Sequence, residues 1–558
     1  MGACCSQVNQ VILDVEEAVG LVVEPRKVTV TVWRPVAGKP FPEAELLRAR
    51  GKDLGLAFSG GGMRSAVLTI GWLQALNELG ILKEVRYVST ISGSTWALGP
   101  LVYDSSASLD QFLGRSVKPE QLNLGMIPKL CGSSHLKVLS QSNFMAAMLA
   151  NAMSAVPQSE LGLIKGGANV DWWSKTVGNS FFVGLPRGYN STVCAISKAK
   201  ASEVEKSLKG MVKKVCAARK NAPFLIMNGC ILVGGDRGCI PLEFTPLYYG
   251  VPSAFKDIDA VFVEPVGYCA SDVTRDQLSR IESGSATTVT VSRVVAIHEC
   301  SGISSSNIAQ THGDDVEAKA YESANFPMIP CFSAGLQRCV DGGSADNTAI
   351  LALLRRGCRN IIAGLACNLS VAEDSVEDAN VHSLGTLAGL FGRMKLKVPG
   401  TKVDQVTESD YNSQRVVFPS EAWDELIAGM RQRLAAGEGL VHKMCVPVLA
   451  NPSIGVAGGY TCNIVFTFSG ECSAFVNKLP ANTRKQLEDE KKASTTGGVL
   501  EQLEEQLEAV GLSAANLSTF PYVPVLELKY GPSLIMLMSQ LASFTLKQRA
   551  EDLKALAI

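Results

Sequence analysis

Three consecutive glycines, Gly60, Gly61 and Gly62, followed by Arg64, stand in "LAFSGGGMRSA" at 56–66. Bare backbone N–H groups where an apolar run meets a helical pattern can close on an anion. Two chemistries use such a turn: a nucleotide phosphate, or the oxyanion of an acyl-transfer intermediate. A nucleotide loop asks for G-x-G-x-x-G, or for a Walker lysine after the last glycine. Here Ser65 stands where the third spaced glycine belongs, and no Lys-Ser/Thr pair follows. The glycine run alone fits either chemistry, and equally a tight turn beside close helix packing. "VSTISGSTW" at 88–96 narrows the choice. Ser92 lies between a second apolar run and the next helical pattern, where a nucleophile elbow exposes a hydroxyl at a helix N-terminus. A Ser-Gly pair at such a junction is by itself usually a helix cap. With the triple-glycine turn one strand–helix unit upstream, it defines a candidate acyl-transfer site. A nucleotide-binding protein would instead end its second strand on an acidic ribose-binding residue, and Ser92-Gly93 stands there.

The elements that must hold these residues are legible around them. "LGLAF" before the glycines is short and wholly apolar, as a strand buried on both faces is. Met63, Ala66, Val67, Ile70, Leu73 and Leu76 then recur at helical spacing, and Gly80 supplies the stop. "VRYVSTI" predicts the second strand and "GSTWALGPLVY" the second helix. Strand, helix, strand with apolar strands predicts a parallel sheet covered on both faces. Upstream, "KVTVTVWRP" alternates Val28, Val30 and Val32 with Thr29, Thr31 and Trp33, a strand pattern. Residues 370–415 are polar and are expected to be loop-rich. Residues 481–500 are charged and end in Thr-Thr-Gly-Gly, an expected exposed insertion or linker. "EQLEEQLEAV" reads as a charged helix, and 532–556 as a terminal amphipathic helix, too short to span a bilayer and more often core.

Composition removes several classes. A formal net charge of −1 offers no global case for nucleic acid or for a polybasic membrane surface. Hydrophobic residues at 46% with 19% charged indicate a globular chain. Sixteen cysteines are scattered without CxxC pairs, and the five histidines do not cluster with them, so reduced, mostly buried thiols are expected and no metal site. Asn190, Asn368 and Asn516 stand in N-x-S/T patterns that should stay unmodified without secretion.

The same motifs resemble the patatin-like lipid hydrolases, and within them the cytosolic phospholipase A2 and phospholipase B (lysophospholipase) branch. That family carries S-G-G-G-x-R about 30 residues before G-x-S-G-S/G-T/S-W, and an Asp-Gly segment far downstream. This chain has "SGGGMR" at 59–64, "TISGSTW" at 90–96 and "VDGGSADNTAILALLRRG" at 340–357, with "PLEFTPLYYG" at 241–250 and "FPSEAWDEL" at 418–426. The resemblance spans most of 51–480. It implies a three-layer α/β sandwich with a central, mostly parallel sheet and cap insertions over an apolar acyl pocket. It implies a Ser-Asp dyad in which Ser92 is the nucleophile and Asp341 its general base, no histidine being needed. Gly60, Gly61 and Gly62 would form the oxyanion hole and Arg64 would face the substrate phosphate, its planar fork suiting phosphate oxygens. Asp346 competes with Asp341, but Gly342 and Gly343 after Asp341 match the family turn. One position departs: the first elbow glycine of the family is Thr90 here, which bears on rate more than on fold.

The expected activity is a serine acyl hydrolase acting on glycerophospholipids or lysophospholipids, without cofactor. The alternatives are a catalytically silent lipid-binding protein on the same scaffold, or a nucleotide-binding α/β protein. Gly2 with Ser6 in "MGACCS" fits N-myristoylation, and Cys4 and Cys5 are placed for S-palmitoylation. Val8, Val11, Ile12, Val15, Ala18 and Val19 follow at helical spacing. The expected division is a lipid-anchor and lead-in segment at 1–50, a catalytic domain at 51–480, and a charged linker with helices packing on it at 481–558. The expected partner is a phospholipid surface on the cytosolic side, with no nucleic acid and no inferable protein partner. Calcium is expected to be dispensable, because about 50 residues before the first strand of the α/β pattern are too few for a C2 β-sandwich of roughly 100 residues, and no D-x-D-x-D-G loop is present.

Overall fold

The structure is a computed structural model, which describes residues 24–35, 41–47, 52–132, 134–142, 144, 172–188, 190–233, 238–253, 260–270, 280–306, 325–327, 336–368, 382–393, 415–494, 514–515, 517–524 and 529–557. Gly2, Cys4, Cys5, the helical pattern at 8–19 and "EQLEEQLEAV" lie outside the described residues.

The strands are β1 Arg26–Trp33, β2 Leu54–Phe58, β3 Tyr87–Ile91, β4 Thr192–Ala195, β5 Lys214–Ala217, β6 Phe224–Val233, β7 Gly238–Phe244 and β8 Tyr249–Val251. They continue with β9 Val261–Val263, β10 Ser285–Val291, β11 Asn325–Pro327, β12 Leu336–Asp341, β13 Asn360–Asn368, β14 Val441–Val448 and β15 Tyr460–Ser469. One sheet runs β10-β1-β9-β8-β7-β6-β3-β2-β13-β15-β14, with β12 joined to β6 and β11 to β12. Its centre, β6-β3-β2-β13-β15, is parallel throughout. Antiparallel strands extend it on both sides, β14 at one edge and β7 to β1 and β10 at the other. β4 and β5 form a separate parallel pair.

The parallel centre follows from composition. "LGLAF" and "YVSTI" are buried at every position, which requires cover on both faces. On one face lie α1 Gly62–Glu78 and α2 Gly93–Tyr103. They pack on Leu54, Leu56, Phe58 and Val88 within one apolar core. On the other face, α4 Ile350–Arg355 and α5 Glu421–Ala435 cover Ala57, Tyr87, Ile91 and Ile361 in a second core. The α3 helix, Ile297–Ser304, lies fully buried beside α2. Three layers result.

Two later segments refine the expectations. Residues expected to be an exposed linker form α6, Ala481–Ser494. Thr483 and Leu487 are buried, and the Thr483 hydroxyl donates to the Leu122 carbonyl at 2.8 Å. The charged side chains occupy the outer face, so charge density marked one side of a packed helix rather than a linker. The terminal helix, α7 Pro532–Lys547, is buried along most of its length. It crosses α1 so closely that a Cβ on Gly71 would stand 2.0 Å from the Ser539 carbonyl oxygen.

Candidate active site

The glycine turn follows β2 and the serine turn follows β3. These strands are adjacent and parallel, with Phe58 opposite Thr90, so both turns emerge side by side at the carboxyl end of the sheet, where α/β proteins place their sites. Asp341 arrives from the opposite direction. β3 pairs with β6 up to Ile91 opposite Asn228. β7 occupies the far edge of β6, opposite Met227 to Val233. Beyond Asn228, β12 therefore takes the edge that β3 has vacated, running antiparallel with Asp341 opposite Gly229. It meets β3 head-on where the chain turns at Ser92, which brings the Ser92 hydroxyl near enough to the Asp341 carboxyl to pull its pKa down.

Each residue of "SGSTW" has a local role. Ser92 sits at φ 54°, ψ −128° as the N-cap of α2, a conformation costing about 1–3 kcal/mol for a non-glycine residue. Gly93 is required because a Cβ there would stand 1.8 Å from the Gly62 carbonyl oxygen. The Ser94 hydroxyl donates to the Phe58 carbonyl at 3.0 Å, tying the end of β2 to the elbow. The Thr95 hydroxyl donates to the Ser92 carbonyl at 2.6 Å. Trp96 stacks on Phe181 with ring centroids 4.5 Å apart, and its indole N–H donates to the Ser305 hydroxyl. Thr90, where the family has glycine, is fully buried, and its hydroxyl donates to the Ile226 carbonyl of β6 at 3.2 Å. The extra side chain thus lies within the sheet, with its polar atom satisfied.

Asp341 is buried, and burial pushes its carboxyl up to about 7, against the opposing pull of the Gly343 N–H and the Ser92 hydroxyl. Its Oδ1 accepts the Gly343 N–H at 2.7 Å. Asp346 is otherwise engaged. Its Oδ1 accepts the Thr348 N–H and hydroxyl, and its Oδ2 accepts the Leu351 N–H at 2.9 Å. It caps α4 and does not compete for Ser92.

The three glycines separate in role. The Gly60 N–H donates to the Asn347 carbonyl at 3.3 Å, so it is spent on the fold. Gly61 and Gly62 lie at φ 138° and 56° at the start of α1, where the first-turn N–H groups have no intrahelical partner. Gly60 itself comes close to Ser92: a Cβ there would stand 3.1 Å from Ser92 Cβ and 2.2 Å from Asn347 Oδ1. The Ser65 hydroxyl holds the turn by donating to the Ser59 carbonyl at 2.6 Å. Arg64 is 2% exposed. Its Nη1 donates to the Val523 carbonyl at 2.7 Å, while Nε and Nη2 are buried without a partner among the described residues. Burial draws its pKa below the ordinary guanidinium value. The Arg64 side chain, expected to face the substrate phosphate, lies against the C-terminal chain at Val523.

Sequence reasoning did not find Asn228, Ser304 or Asn347, which meet the glycine, Ser92 and Asp341 turns from other elements. A serine-rich run, "CSGISSS" at 300–306, was the available signal for one of them. Among the described residues no group of His, Cys, Asp and Glu is arranged to hold a metal ion. His135 Nε2 donates to the Trp96 carbonyl at 3.0 Å, and neither ring nitrogen of His298 has a partner among the described residues. Burial lowers both to about 4. The described cysteines are free thiols, buried except Cys445. A cavity of 270 Å³ beside Gln74 and Asp110 and one of 90 Å³ beside Cys194 and Val266 lie away from Ser92 and Asp341. Among the described residues no helix is long and apolar enough to cross a membrane.

The glycine turn, elbow and first two helices fall in one stretch that comparison with known families recognises. Residues 54–151 match the lysophospholipase catalytic domain family. The resemblance read from the motifs is thereby borne out. Cytosolic phospholipase A2 gamma of Mus musculus is 26% identical over 149 residues, 23% of this chain and 25% of that protein. Cytosolic phospholipase A2 delta of Mus musculus is 47% identical over 51 residues, 9% of this chain and 6% of that protein. The matched region thus spans a quarter or less of these relatives. Human GIVD cytosolic phospholipase A2 is similar in structure with a TM-score of 0.46 and 14% identity, covering 90% of this chain and 62% of that one. Within the lysophospholipase-type segment stand Ser92 and the three glycines, whereas Asp341 and Val523 come to it from outside.

Proposed function

We propose that this chain is a serine acyl hydrolase that cleaves fatty-acyl esters of glycerophospholipids or lysophospholipids through a Ser92–Asp341 dyad. The observation that carries the reading is the pairing of a positive-φ serine with a buried carboxyl beside a turn of bare glycine N–H groups. In the first step Asp341 takes the Ser92 hydroxyl proton as Oγ bonds to the acyl carbonyl carbon. The Gly61 and Gly62 N–H groups stabilise the oxyanion that forms. The intermediate collapses, the glycerol oxygen leaves with the proton held by Asp341, and Ser92 is left acylated. Water then repeats the sequence and releases the fatty acid. A carboxyl held up to about 7 by burial is a far stronger base than an ordinary aspartate, which a histidine-free dyad needs.

Arg64 is assigned to the substrate phosphate. Its two unpartnered guanidinium nitrogens support this, since buried cationic donors favour an anionic acceptor. Residence at the lipid surface is assigned to acylation of Gly2 together with Cys4 or Cys5, because one myristoyl chain binds only with K on the order of 10⁴ M⁻¹. Gly2→Ala should move the protein from membrane to soluble fractions without changing turnover of monomeric substrate. The central test is a fluorophosphonate probe, which bonds to an activated serine. Wild type should be labelled at Ser92 and Ser92→Ala should be neither labelled nor active while remaining folded. Turnover by Ser92→Ala would remove Ser92 from the mechanism.

A further inference from the structure

The dyad is assembled from two turns far apart in sequence, and a third element touches both. The carbonyl of Ser304, the last residue of α3, accepts the Ser92 N–H at 3.0 Å and the Gly342 N–H at 3.3 Å. The Ser304 hydroxyl lies 3.1 Å from the same Ser92 nitrogen and donates to the Asn228 carbonyl at 2.5 Å. Asn228 in turn donates from Nδ2 to the Thr90 carbonyl and the Ser89 hydroxyl, both at 2.9 Å. A ring of hydrogen bonds therefore runs from the elbow through Ser304 and Asn228 and back to the strand that delivers the elbow. The Asp341 turn hangs from the same carbonyl. α3 is fastened to α2 on either side of this point, by Ser301 to Thr95 at 2.6 Å and by Ser305 to the Trp96 indole at 3.1 Å. Ser301, Ser304 and Ser305 share one helix face by their spacing.

We propose that Ser304 is a positioning residue for the dyad, its hydroxyl setting the place of Ser92 Oγ against the Asp341 carboxyl by bridging the Ser92 N–H to the Asn228 carbonyl of β6. This rests on the hydrolase reading above. The physical reason is the strain at Ser92. A serine at φ 54° relaxes unless its neighbours hold it, and its N–H is the handle. Ser304 contacts the backbone N–H of Ser92 and of Gly342, not the nucleophile itself, so it acts through position. Displacements of about 1 Å in such geometry cost on the order of a hundredfold in rate. Removing the hydroxyl leaves the carbonyl grip and so costs less than that.

The test uses the full-length chain with Ser304→Ala and Ser304→Cys, the second retaining volume while weakening the hydrogen bonds. Fluorophosphonate labelling of Ser92 and kcat should each fall about tenfold in both variants, with KM within about twofold and the melting temperature little changed. If Ser304→Ala does not fold, Ser304→Cys carries the comparison. Labelling at the wild-type rate in a folded variant overturns the proposal while leaving the hydrolase reading intact. So does a loss that vanishes on cooling in step with recovered folding, since that marks a purely structural role. Failure of the wild type to label defeats the hydrolase reading instead.

Discussion

Asp341→Asn should abolish turnover and, above neutral pH, make the protein more stable. An asparagine keeps the shape and the hydrogen bonds: its oxygen can accept the Gly343 N–H and its amide can face Ser92. It cannot take the serine proton, and it carries no charge to bury. Burial raises the Asp341 carboxyl from its ordinary 3.8 to about 7 in the fold. The folded state therefore holds a proton that the unfolded chain has already released. Stability from that proton is fully present below the unfolded pKa and is lost as pH rises through the folded one. At about 1.4 kcal/mol per pH unit, ionised Asp341 destabilises the fold by on the order of 4 kcal/mol at pH 8 and by less than about 1 kcal/mol at pH 4. An unfolding entropy near 2.1 cal/mol/K per residue gives about 1.2 kcal/mol/K for 558 residues. The mutant should then melt about 3 °C above wild type at pH 8 and within about 1 °C of it at pH 4. Fluorescence-monitored melting of both proteins across that range is the assay. A difference independent of pH, or a wild type that is the more stable at pH 8, would refute the desolvated carboxyl on which the proposed general base depends.

The same group sets the pH profile: kcat/KM should rise with pH to a plateau with a midpoint near 7, because Asp341 must be ionised to accept the proton, and a midpoint near 4 would contradict its burial. Gly93→Ala should reduce labelling and turnover by at least a hundredfold or prevent folding, since its Cβ would stand 1.8 Å from the Gly62 carbonyl oxygen; near wild-type activity would show that the elbow and glycine turn are farther apart. Arg64→Lys should impair hydrolysis of a phospholipid about tenfold or more while sparing a small neutral ester, because an ammonium cannot reproduce the guanidinium fork; equal losses on both would make Arg64 structural. Asp346→Ala should lower stability by about 1–3 kcal/mol through loss of the cap on Thr348 and Leu351, while the folded fraction labels at the wild-type rate. Loss of labelling there would reopen the choice between the two aspartates.

The local parts of this protein were legible because local physics writes them. Two short strand runs, one wholly apolar and one carrying Ser89 and Thr90, each ended by Ser-Gly and followed by a helical pattern, suffice to place β2, β3, α1 and α2. The turns between them are forced by close backbone approach, at Gly93 most sharply. Charge read alone misled at 481–494, where a helix needs only Thr483 and Leu487 on its inner face. The rest required the tertiary structure. That Asp341 meets Ser92 depends on β12 taking the edge of β6 just where β3 leaves it, an event of strand pairing with no mark in either segment. The Gly60 N–H is spent on Asn347, and only the folded chain shows it. Ser304 grips Ser92 across 212 positions and the Val523 carbonyl accepts from Arg64 across 459. Periodicity records which face a residue turns toward the core, and turn chemistry records its nearest neighbours. A hydrogen bond between a backbone carbonyl and a group hundreds of residues away alters neither, so it leaves no pattern to read until the layers have closed.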